Sequence, residues 1–176
     1  SMSTAEGYGD ASELRSYGPA KAAARGAVAT MVRSAATASL RSPHTGSVVF
    51  RAGDRAIPAV ALATEDADAI HRWLRAGPVR VRLQLGCHTE PDLDSANVVS
   101  EIRGREKPGE VVVLGAHLDS WDLAVGAQDD GTGVAMVLEA ARLLAKTHPR
   151  RTIRFVLFMN EENGSAGAKA YAEAHG

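Results

Sequence analysis

Several things are scarce in this chain, and each scarcity closes off a class of function. Cys87 is the only cysteine, so no internal disulfide can form and no thiolate cluster can hold a zinc ion. Its neighbours, Gln84-Leu85-Gly86 and His88-Thr89-Glu90, make no clear activating arrangement, and it reads as a small hydrophobe near a strand end. Aromatic residues make up only 5% of the sequence, which leaves Ala, Val, Leu and Gly to build the core. The net charge is −1, which provides no basic field for nucleic acid or for an acidic membrane surface. No apolar run approaches the roughly 20 residues of a membrane span. No charged start followed by an apolar stretch opens the chain. Ser1 ahead of Met2 reads as a cloning remnant, however, so that absence is silent about the natural protein. What remains is an ordinary globular composition, 45% hydrophobic over 176 residues, enough for one domain or two small ones.

Punctuation and periodicity give the organisation. Residues 1–18 are polar and rich in Gly and Ser and read as a loose leading segment. Residues 19–25 are Ala-rich and helix-compatible up to Gly26. Residues 27–32 and 57–62 are short apolar runs that read as buried strands, with a turn at 42–46 between them. Thr64 is placed to cap a helix over 65–76, with Glu65 and Asp66 in its first turn and Gly77-Pro78 at its end. Val79, Val81, Leu83 and Leu85 alternate with Arg80, Arg82 and Gln84, the pattern of a half-buried strand. The polar stretch 90–95 reads as a linker. Beyond it come a strand at 97–102, a turn at 107–110, and the run 111–114 of a strand covered on both faces. Val134, Val137, Leu138, Ala141, Leu144 and Ala145 fall at helical spacing within 132–146. A strand at 151–159 and a helix at 166–174 follow. Alternation of strand and helix predicts an α/β fold with a mostly parallel sheet and flanking helices.

The chemistry-bearing residues sit just past the apolar runs. His117 lies three residues after the run 111–114, at the C-terminal end of the strand. Asp119, two residues on, can accept the other ring N–H of His117 and fix its tautomer. Asp129-Asp130-Gly131-Thr132-Gly133 opens the next helix. An Asp there is an ordinary helix cap, but it can also bridge two metal ions, and Gly131 and Gly133 leave room for close backbone approach. Glu161 and Glu162 follow the strand at 151–159. Consecutive carboxylates point in different directions, so one can ligate a metal while the other takes a proton from water. Each element alone also has a plain structural reading; all three in order, each at a strand end, point to a hydrolytic metal site.

The stretches G-A-H-L-D-S-W-D (115–122), G-A-Q-D-D-G-T-G (126–133) and F-M-N-E-E-N-G-S-A-G-A (158–168) resemble the co-catalytic di-zinc exopeptidases, a family that includes bacterial leucyl aminopeptidases, aminopeptidase Y and glutamate carboxypeptidase. The carboxypeptidase Q-like branch is the most similar. Upstream, G-A-V-A-T-M-V-R-S, S-P-H-T-G and I-P-A-V-A-L-A-T-E-D-A resemble that branch's protease-associated insert. After the flexible leading segment and cloning remnant at 1–18, the resemblance implies part of a protease-associated-like domain at 19–94 and the N-terminal part of a zinc exopeptidase domain at 95–176. It implies that His117 and Glu162 ligate different zinc ions of a two-zinc site and that Asp129 bridges them, with the Asp129–Asp130 peptide cis. Asp119 would orient His117, and Glu161 would act as general base.

The implied reaction is hydrolysis of a peptide bond next to a free terminus of a peptide or dipeptide. The implied location is extracellular or periplasmic. Neither nucleic acid nor membrane is an expected partner, while a homo-oligomer is compatible. The family completes its site with a further Asp and His well beyond the glutamate pair, whereas this chain ends fourteen residues after Glu162. The expectation is therefore a piece truncated at both ends, with three of five ligands, inactive by itself and partly or not loaded with zinc. His and carboxylates would also suit manganese or cobalt. The rival reading is a non-catalytic binding module of protease-associated type, against which the intact His117, Asp129, Glu161 and Glu162 argue. A single-zinc glutaminyl cyclase is a third, disfavoured by the N-terminal half.

Overall fold

The computed structural model describes residues 5–35, 40–122 and 124–176. They divide into two compact units, Ser1–Thr89 and Glu90–Gly176.

In the first unit, helix α1 (Ala5–Ala23) is followed by strands β1 (Thr30–Arg33) and β2 (Ala59–Leu62) and helix α2 (Thr64–Ala76). The strands pair in parallel, with Thr30 beside Ala59 and Arg33 beside Leu62. The leading segment, expected to be loose, is helical from Ala5 on; residues 1–4 lie outside the described residues. Tertiary contacts, which local composition does not reveal, hold it. Arg15 donates to the Thr45 carbonyl at 3.0 Å, Val49 N–H donates to the Ser16 carbonyl at 2.9 Å, and the Tyr8 ring stacks on His44. Helix α2 ends as expected at Gly77, but Thr64 does not cap it. Thr64 is buried in the first turn and its hydroxyl donates to the Glu65 carboxylate at 2.9 Å.

The alternating segment 79–85 is not a strand. No neighbouring strand offers it a ladder among the described residues, and Val81 and Leu85 are exposed. Alternation signals a half-buried face, but a strand also needs a hydrogen-bonding partner. Cys87, beside it, is exposed rather than packed near a strand end.

The second unit contains β3 (Val98–Ile102), β4 (Lys107–His117), α3 (Gly131–Leu144), β5 (Arg151–Phe158) and α4 (Ala166–His175). The sheet order is β3-β5-β4. β4 and β5 are parallel, as their connection through α3 requires, whereas β3 runs antiparallel to β5. Residues 107–110, read as a turn, belong to β4, and a register shift between Lys107 and Val111 marks the irregularity there.

One face of the sheet packs on α3. Ala116, Phe155 and Leu157 meet Val137 in the buried core, with Leu114, Ile153, Val134 and Leu144 against it. Burying each large apolar side chain of this kind stabilises by ~1.5–3 kcal/mol. Leu138, expected on that face, is exposed. α4 approaches β5 through Tyr171, which meets Phe158 edge-on and hydrogen-bonds Arg154. Gly115 leaves the room Phe158 needs, since a Cβ there would lie 2.7 Å from its ring. The valines 111–113 are exposed rather than covered on both faces: of β4, Leu114 and Ala116 are the residues that reach the core against α3 among the described residues. No described helix is long and apolar enough to cross a membrane.

Candidate metal centre

Parallel pairing places the C-terminal ends of β4 and β5 side by side, and the candidate residues gather there. His117, the last residue of β4, pairs with Phe158, the last of β5. Leu118 N–H donates to the Phe158 carbonyl at 2.8 Å and carries the contact one residue further. The loop after β4 therefore runs against the loop after β5, and α3, returning between the strands, brings its first turn to the same edge. Open α/β sheets place their sites at this edge.

The two aspartates at the start of α3 differ in what they hold. Asp130 is the N-cap of α3, and its carboxylate accepts from Gly133 N–H at 3.1 Å and from the backbone N–H of His117 at 3.1 Å. One side chain thus caps the helix and ties its start to the end of β4. Gly133 is required by that cap, because a Cβ would lie 2.2 Å from the Asp130 carboxylate. The Asp129–Asp130 peptide is cis. Asp129 points outward, its side chain 78% exposed, and its Oδ1 lies 2.9 Å from His117 Nε2.

The His117 side chain is only 12% exposed. Its Nδ1 lies 3.0 Å from the Asp119 backbone carbonyl, while the nearer Asp119 carboxylate oxygen is 3.7 Å away. The carboxylate expected to face the ring is used elsewhere: it accepts from Glu161 N–H at 2.9 Å and from Glu162 N–H at 3.1 Å. Asp119 therefore orients the ring with its carbonyl and holds the glutamate loop with its side chain.

That loop has unusual backbone geometry. Asn160 and Ser165 adopt left-handed conformations, φ 63° and 60°, which cost about 1–2 kcal/mol each for residues with a Cβ, somewhat less for Asn. Ser165 N–H closes back on the Asn160 carbonyl at 2.6 Å.

The electrostatics of the cluster follow from its crowding. Burial opposes charge on the His117 ring, but the Asp129 carboxylate, the Asp119 carbonyl and the nearby Glu161 and Asp130 charges outweigh it and raise its pKa. Burial pushes the Asp119 carboxyl up, yet the N–H groups of Glu161 and Glu162 hold it below the usual carboxylate value. Burial, followed by the charges of Asp129 and Glu161, raises Glu162. Donor atoms of His117, Asp129 and Glu162 all lie within 4.8 Å of one another. One imidazole nitrogen and two carboxylates are a donor set for zinc or a similar divalent ion. A cation would relieve the like-charge crowding at Glu162 and be drawn to His117 Nε2 and Asp129 Oδ1, which lie 2.9 Å apart, so the residues fit a metal. Glu161, with its side chain half exposed, borders the cluster, its Oε2 3.9 Å from His117 Nε2.

All five residues singled out in the sequence thus meet at one edge. Two others matter there that the sequence did not single out. Asp130 was visible as half of an acidic pair, and a Gly three residues on is compatible with the cap it makes. Asn97, just before β3, hydrogen-bonds Met159 and Gly167 around the glutamate loop across more than sixty residues, and nothing local signals that role.

Comparison with known proteins points the same way. A family model described as Peptidase family M28 matches residues 97–176. The chain is 41% identical over 172 residues to carboxypeptidase Q of Mus musculus, covering 96% of this chain and 37% of that protein. Among solved structures, a peptidase M28 precursor from Shewanella amazonensis SB2B superposes with a TM-score of 0.84 at 39% identity, covering 97% of this chain and 39% of that one. A zinc aminopeptidase from Bacillus subtilis matches with a TM-score of 0.59 at 26% identity, over 90% of this chain and 36% of that one. The chain spans well under half the length of the relatives it matches.

Proposed function

We propose that the whole protein, whose residues 97–176 match the model of peptidase family M28, is a zinc-dependent exopeptidase of aminopeptidase or dipeptidase type. The observation that carries this reading is the convergence of His117, Asp129 and Glu162 donor atoms within 4.8 Å, with Glu161 alongside. His117, Asp129 and Glu162 would hold the metal. When bound, a divalent ion supplies Lewis-acid polarisation of a carbonyl and makes water more acidic.

The chain's own residues supply the rest. Asp119 fixes the ring of His117 through its carbonyl and aims the glutamate loop through its carboxylate. Glu161 takes a proton from the water that attacks the scissile carbonyl carbon, and it delivers that proton to the departing amine as the C–N bond breaks. The substrate is a peptide or dipeptide cleaved beside a free terminus, and the natural location is extracellular or periplasmic. A full site holds two zinc ions. Since the resemblance calls for a further Asp and His, the 176-residue chain alone turns over no peptide.

Metal analysis together with an exopeptidase assay on the whole protein and on the 176-residue chain tests this. The expected result is zinc-dependent turnover by the whole protein and none by the chain. Turnover by the zinc-supplemented chain would overturn the inactivity, and a zinc-loaded whole protein that cleaves no peptide would overturn the peptidase reading.

A further inference from the structure

We infer that Asn97 is a positioning residue for the glutamate loop, clamping both ends of the segment that carries Glu161 and Glu162. Its side chain uses both halves of the amide. Oδ1 accepts from Met159 N–H at 3.0 Å, just before the loop, and Nδ2 donates to the Gly167 carbonyl at 2.8 Å, just after it. Gly167 N–H in turn donates to the Met159 carbonyl at 3.0 Å, so Asn97, Met159 and Gly167 form a closed triangle at the base of the loop.

Three features argue that this triangle places the loop rather than merely joining β3 to β5. First, the loop backbone is held in conformations it would not adopt freely, left-handed at Asn160 and Ser165. Such conformations persist only where the surroundings over-determine them. Second, Gly167 is cut to fit the clamp: a Cβ there would lie 2.3 Å from Asn97 Oδ1 and 2.5 Å from the Met159 carbonyl oxygen. Third, the loop's other anchor, the Asp119 carboxylate, reaches only the Glu161 and Glu162 N–H groups in its middle. Asn97 fixes the ends, Asp119 fixes the centre, and the two glutamate side chains are left to face the cluster. Shifting the base of so short a loop moves Glu162 relative to His117 and Asp129, whose donor atoms are within 4.8 Å of its own.

The consequence for metal binding rests on the metal-site reading above; the positioning of the loop does not, and two measurements separate them. Hydrogen exchange by NMR on the 176-residue chain compares wild type with Asn97→Ala. The Glu161 and Glu162 amides are expected to exchange about tenfold faster or more, while the Val156 amide in the centre of β5 is unchanged, a local opening rather than global loss of stability. The zinc affinity of the whole protein, measured by competition with a chelating dye, is expected to fall about 10–100-fold on Asn97→Ala, as for other outer partners of a metal site.

If Asn97→Ala does not fold, Asn97→Asp keeps the acceptor for Met159 and loses the donor to Gly167, and an intermediate acceleration at Glu161 and Glu162 is expected. Gly167→Ala displaces Asn97 without altering it and should reproduce the Asn97→Ala pattern. Exchange at Glu161 and Glu162 that stays unchanged in these variants, or that moves only in step with Val156, overturns the inference. Wild-type whole protein that binds zinc no better than its His117→Ala variant, with exchange behaving as described, overturns the metal reading and leaves Asn97 in place.

Discussion

Asp129-Asp130 and Glu161-Glu162 are both adjacent acidic pairs at the edge of one sheet, yet the fold uses them differently. In the aspartate pair the side chains divide the labour. Asp130 is committed to the backbone N–H groups of Gly133 and His117, and Asp129 is left outward against the His117 ring. In the glutamate pair the backbone is held instead, by the Asp119 carboxylate, so both side chains remain available. The difference shows why a count of acidic residues overstates a site: of these four carboxylates, one caps a helix.

The comparison can be broken in several places. The largest effect is expected at Glu161. Glu161→Gln in the whole protein should lower kcat by about 10²–10⁴-fold with zinc content unchanged; loss of zinc alongside activity would make Glu161 a ligand instead. Next, Asp129→Asn should reduce zinc affinity by more than the roughly 10–100-fold typical of outer partners while leaving the Tm of the metal-free protein nearly unchanged, as measured by calorimetric titration and thermal melts. An equal loss of stability would show that the aspartates do not divide their work.

Asp119→Asn keeps the carbonyl on His117 but turns an amide N–H₂ toward one of the two glutamate N–H groups. Zinc affinity should fall about 10–100-fold, and a value unchanged from wild type would remove Asp119 from the account. Asp130→Ala should lower unfolding free energy by about 1–3 kcal/mol in urea, through the lost cap and the unpaired His117 N–H. The smallest effect on stability is expected for Glu162→Gln in metal-free protein, within about 0.5 kcal/mol, because removing a crowded like charge offsets what is lost; a large destabilisation would mean that Glu162 is structural.

The strands and helices of the second unit were legible because each has its own pattern: five consecutive apolar residues at 155–159, helical spacing from Val134 to Leu144, and polar punctuation between them. The parallel β4–β5 pair then carried His117 and the glutamates to one edge without further information. The first unit was harder, since its structure depends on partners distant in sequence. Helix α1 is held by Thr45 and Val49, and the alternation at 79–85 has no strand beside it. The site was readable in its ligand types but not in its supports. That the Asp119 carboxylate serves the glutamate backbone while its carbonyl serves the imidazole is a matter of geometry, as is the clamp by Asn97, and neither leaves a mark in local sequence.

The sharpest test of a metal centre at this edge of the sheet is diffraction at the zinc absorption edge from zinc-replete crystals of the whole protein. Two anomalous peaks are expected, one within coordination distance of His117 Nε2 and one within coordination distance of the Glu162 carboxylate, both within reach of Asp129 and with Glu161 and Asp130 outside. No peak at that edge of the sheet, or peaks held by other residues, would contradict this metal centre.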